Sequence, residues 1–94
     1  MEELTGVFLR AREALSHHDN DFAWSSWNGP ADAVREIDEI IAKLRAGSLP
    51  DRFQMEVLFA ATGPIQEVSL SSGWAQGFLK LAEDFDAALR RVQP

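Results

Sequence analysis

The chain has 94 residues, of which 46% are apolar and 26% charged. A chain this short is expected to form one domain over residues 1–94, with a radius of gyration of roughly 12 Å. This composition excludes disorder as the main state, and the absence of Cys excludes a disulfide scaffold and any Cys-ligated metal centre. Nine Lys and Arg against fifteen Asp and Glu give a net charge of −6, and the basic residues form no stripe. Nucleic-acid binding and adhesion to anionic membranes both draw on such a stripe, so neither is expected. No apolar run approaches the roughly 20 residues of a membrane span. The acidic start Met1-Glu2-Glu3 is unlike a signal peptide, so the expected compartment is the cytoplasm. A negative charge of this size serves solubility and would also steer the protein toward a basic partner.

Hydrophobic spacing predicts a mainly α fold: a small compact domain of three long helices plus a short buried helix. The first helix, about 3–18, carries Leu4, Val7, Phe8, Ala11, Ala14, Leu15 and His18 at three- and four-residue steps. Arg10, Arg12 and Glu13 stand on its other face. The second, about 30–46, follows Asn28-Gly29-Pro30, with proline in the first turn, where its missing N–H does no harm. Val34, Ile37, Ile40, Ile41 and Leu44 form its stripe, Glu39 is spaced to pair with Lys43, and Gly47 is a natural stop. The third, about 72–92, starts near Ser71-Ser72 and buries Trp74, Phe78, Leu81, Phe85, Leu89 and Val92.

Residues 48–70 admit two readings. Phe53, Met55, Val57 and Phe59 alternate, so an α+β alternative with a hairpin at 53–60 and 65–70 stays open. Most residues between Phe53 and Ala61 are good helix formers, and only Val57 is β-branched. The favoured reading is a buried helix around 50–61 capped at Ser48, then a helical turn at Ile65-Gln66-Glu67-Val68.

Within this region, Leu58-Phe59-Ala60-Ala61-Thr62-Gly63-Pro64-Ile65-Gln66-Glu67-Val68 resembles a block in a family of uncharacterised short bacterial proteins, a domain of unknown function. Trp24-Ser25-Ser26-Trp27 upstream is similar too. The resemblance implies a bacterial, mainly helical protein, and brings no activity or site residues with it.

Few patterns in the sequence carry chemistry. There is no Gly-x-Ser-x-Gly elbow, no phosphate-cradling glycine loop and no His-Glu-x-x-His, so no enzyme and no cofactor is expected. His17-His18-Asp19 offers three metal donors, but consecutive residues on a helix point about 100° apart. They could converge only if the helix ended there, so they read as a polar helix end and no metal is expected. Glu36 with Glu39, and Glu83 with Asp86, place acid pairs on single helical faces. Such pairs read first as solvated surface. The alternative is a resemblance to the all-α nucleoside triphosphate pyrophosphohydrolases, in which Glu36, Glu39, Glu83 and Asp86 would hold Mg²⁺.

Three Trp and six Phe without a Tyr form an aromatic set suited to apolar burial. Trp74 reads as core. Phe22, Trp24 and Trp27 lie in a short segment between helices, which a small chain would struggle to cover entirely. They are the candidate anchors of an interaction surface rimmed by Asp19, Asp21 and Asp32. The protein is thus expected to be a small acidic interaction module that docks a protein partner or itself, as a homodimer. A small-molecule carrier with an aromatic pocket is the remaining alternative.

Overall fold

A computed structural model describes residues 1–92. Wherever apolar side chains recur at three- and four-residue steps the chain is helical. The described residues form α1 (Glu2–Leu15), α2 (Pro30–Arg45), α3 (Arg52–Leu58), α4 (Pro64–Ser72) and α5 (Ala75–Val92), with no strand. The fold is mainly α, and the hairpin alternative is not formed. The radius of gyration is 12.4 Å, as expected for a chain of this length folded into one core.

Helix α1 is the hub. It packs against both α2 and α5, while α5 also packs on α4 and α4 on α3. Leu4, Phe8, Ala11 and Leu15 are fully buried along its inner face. Polar partners show how its neighbours are arranged. Arg12 donates to Asp38 of α2, its Nε 2.6 Å from Oδ1, whereas Arg10 donates to Asp84 of α5 at 2.9 Å. Residues two apart on a helix point about 200° apart, so α2 and α5 flank α1 on opposite sides.

The centre of the core is aromatic. Phe59 and Phe85 stack with centroids 4.4 Å apart, and Phe8 meets both edge-on at 5.4 and 6.1 Å. These are the offset and T-shaped geometries that ring quadrupoles favour.

Several boundaries differ from the sequence expectation. Helix α1 stops at Leu15, and His18, assigned above to its apolar stripe, is exposed. Within α2, Ala33 is buried in place of Val34, which is half-buried. Lys43 and Glu39 form no ion pair among the described residues. Helix α3 is only seven residues long and is capped by Asp51, whose side chain accepts from the Phe53 N–H, not by Ser48. It is not buried all round, as expected above: Met55 and Leu58 are buried, but Phe53 is 73% exposed. The turn expected at 65–68 is instead the nine-residue helix α4. Ser71-Ser72 ends α4 and does not begin α5, because Gly73 takes φ +85° and breaks the helix. A left-handed residue is the usual stop, and glycine adopts it at little cost.

Candidate functional site

The segment between α1 and α2 carries most of the residues singled out by sequence. Two side chains hold its ends. Asn20 donates from Nδ2 to the Ala14 carbonyl at 2.7 Å and accepts at Oδ1 from the Trp74 indole N–H at 2.8 Å. Asp21 accepts from the Ala23 N–H, while its own N–H donates to the Ser72 hydroxyl. The segment is thereby tied to α1 and to the α4–α5 junction.

The three candidate anchors do not share one environment. Phe22 and Trp27 are buried, edge-to-face with centroids 6.5 Å apart, and the Trp27 indole N–H donates to Glu36 at 3.2 Å. Both belong to the core, which corrects the expectation that they line a surface patch. Trp24 differs. It is 76% exposed, on a turn in which the Ser25 hydroxyl donates to the Phe22 carbonyl. A hydrogen-bonded turn thus presents a large apolar side chain to water. Of the expected acidic rim, Asp21 is exposed, and Asp32 accepts from the Asn28 N–H and pairs with Arg35. Asp19 stands beside the two histidines.

Sequence reasoning missed the outer face of α3. Phe53 and Val57, one turn apart, are 73% and 41% exposed. The reading of one buried helix over 50–61 concealed it: the helix is only seven residues long and buries one face, which Met55 and Leu58 take.

The four carboxylates of the hydrolase-like alternative do not come together. Glu36 and Glu39 lie on α2, Glu83 and Asp86 on α5, on opposite flanks of α1. The one group of three or more acids and histidines with converging ligand atoms among the described residues is His17, His18 and Asp19. The tetracarboxylate Mg²⁺ site is not present, and the acid pairs stand on separate faces.

Trp74 is half-buried at the α4–α5 junction and does not belong to the stripe of α5. It lines a groove of about 460 Å³ with Ala14, Gly77 and Leu81, and with His17, Asp19, Asn20 and Ser72 as its polar members.

No protein-family model, no curated protein and no solved structure matches the chain. No described helix is long and apolar enough to cross a membrane.

Proposed function

We propose that the protein is a small, non-enzymatic interaction module of the bacterial cytoplasm that docks a partner protein, or a second copy, through Trp24. One observation supports this reading above the others: a tryptophan 76% exposed on a hydrogen-bonded turn, beside a neighbouring Phe22 and Trp27 that are both buried. Tryptophan is over-represented among interface hot spots, and hydrogen bonding within the turn limits the entropy lost on docking. The resemblance of residues 58–68 to a family of short bacterial proteins agrees with the source proposed here and adds no activity.

Sedimentation velocity of the wild type and of Trp24→Ala at low and high salt tests the proposal. A homodimer would bring Asp21 and its symmetry mate together, so it strengthens as salt rises. A complex with a basic partner weakens with salt. Either way, Trp24→Ala abolishes association while the fold is retained. A wild type that stays monomeric at tens of micromolar and binds no basic protein overturns the reading.

A second reading is favoured by the Trp74 groove, whose exposed lining is mostly apolar with four polar residues at hand to orient a small ligand. Ligand-dependent tryptophan fluorescence, lost in Trp74→Phe, would select it over docking at Trp24.

A further inference from the structure

Helix α1 ends at Leu15, so the condition under which His17, His18 and Asp19 can converge is met. The three residues lie in the turn beyond the helix, and one donor atom from each falls within 4.8 Å of the others. His18 Nε2 is 3.1 Å from one Asp19 oxygen, and His17 Nδ1 is 3.8 Å from the other. The two imidazoles stack face to face, with centroids 5.1 Å apart and planes 13° from parallel. A tetrahedral ion with ligand bonds of about 2.1 Å holds its donors about 3.4 Å apart. The donors must therefore close by an ångström or so, and the stacked rings must also turn so that both nitrogen lone pairs face the ion; the side chains are solvent-exposed, which leaves room for both movements. The one side-chain hydrogen bond at stake is weak: the Asp19 N–H donates to His17 Nδ1 at 3.4 Å, and ligation through that nitrogen, the one that faces the Asp19 carboxylate, would replace it.

The backbone beneath the cluster is fixed. Asn20, the next residue, is bonded to both Ala14 and Trp74, so the turn does not have to be ordered by the ion. Electrostatics also favour a cation there. The turn follows the C-terminal, negative end of the α1 dipole, and the chain carries a net charge of −6. The basic side chain of the last turn, Arg12, is engaged by Asp38 on the α2 side.

We propose that His17, His18 and Asp19 form a binding site for a divalent transition-metal ion of the zinc, nickel or copper type. Two imidazole nitrogens and one carboxylate oxygen suit these ions, whereas magnesium and calcium take all-oxygen shells. Water completes the coordination. Nothing in this inference depends on docking at Trp24, which lies outside the cluster.

Calorimetric titration of the full chain with Zn²⁺, in the presence of millimolar Mg²⁺, tests the site. One equivalent of Zn²⁺ should bind saturably. His17→Ala and His18→Ala should each weaken binding at least tenfold, and the double variant should abolish it. A parallel signal comes from Cu²⁺, whose quenching of tryptophan fluorescence should include Trp74, because His17 and Asp19 line the same groove. All three side chains are exposed, so the variants keep the fold, which circular dichroism verifies. No saturable Zn²⁺ binding by the wild type overturns the proposal. So does binding that persists in the double variant, which would place the ion on the general acidic surface. Single variants that each retain wild-type affinity would show that the two imidazoles do not act together, and overturn it equally.

Discussion

Two tryptophans three positions apart have opposite roles. Trp27 fills space against Phe22 and gives its N–H to Glu36, whereas Trp24 touches mostly water. Trp27→Ala should therefore cost about 3–5 kcal/mol through the cavity it opens. Trp24→Ala should stay within about 0.5 kcal/mol of the wild type, as surface substitutions usually do. Urea denaturation of the two variants measures both. Near-equal losses would mean that Trp24 is packed rather than presented.

At the scale of the element, the α3–α4 connection depends on the lack of a side chain at Gly63. A Cβ there would stand 2.1 Å from the Val57 carbonyl oxygen, and within 3.3 Å of two further carbonyls. These are backbone atoms, so the turn itself has to open. Gly63→Ala should cost about 1–3 kcal/mol, the usual penalty of overpacking. Gly73 has open space around it, and its constraint is the backbone, at φ +85°. Gly73→Ala should cost about 1–2 kcal/mol from the left-handed conformation alone. Replacing Gly73 by Asn, which tolerates that region better, should recover part of the loss, whereas Gly63→Asn should recover nothing. Thermal unfolding of the four variants separates steric from conformational constraint.

Across the whole molecule, charge pairs tie the first helix to the last. Asp84 of α5 accepts from Arg10 of α1 and pairs with Lys80, while Arg91 near the end of α5 pairs with Glu3. The Arg10 hydrogen bond, followed by that of Lys80, holds the Asp84 carboxyl below its ordinary value. A carboxylate lowered in this way contributes stability above its unfolded-state value and loses it as pH falls through the folded-state one. Asp84→Asn should thus be slightly less stable than the wild type at pH 7, and the gap should close below roughly pH 4. High salt should narrow the gap at neutral pH, because the pair is near the surface. A gap that survives in acid would mean that Asp84 acts through packing.

Periodicity in the sequence determined where α1, α2 and α5 run, because a helix repeats its neighbours every 3.6 residues and the stripe Leu4, Val7, Phe8, Ala11, Leu15 is a local pattern. Net charge and the missing cysteines likewise need no coordinates to be read. Helix ends were less legible: Gly73 and Leu15 terminate elements at points where the local pattern continues. Exposure was decided by the tertiary structure alone, since Trp24 and Trp27 have similar sequence neighbours and differ only in what packs over them. The same holds for the acids and the histidines. Glu36 and Glu83 are kept apart because α1 lies between their helices, a relation of distant segments that no spacing records. His17, His18 and Asp19 are brought together because α1 ends two residues before them, which frees each side chain from the 100° step of the helix.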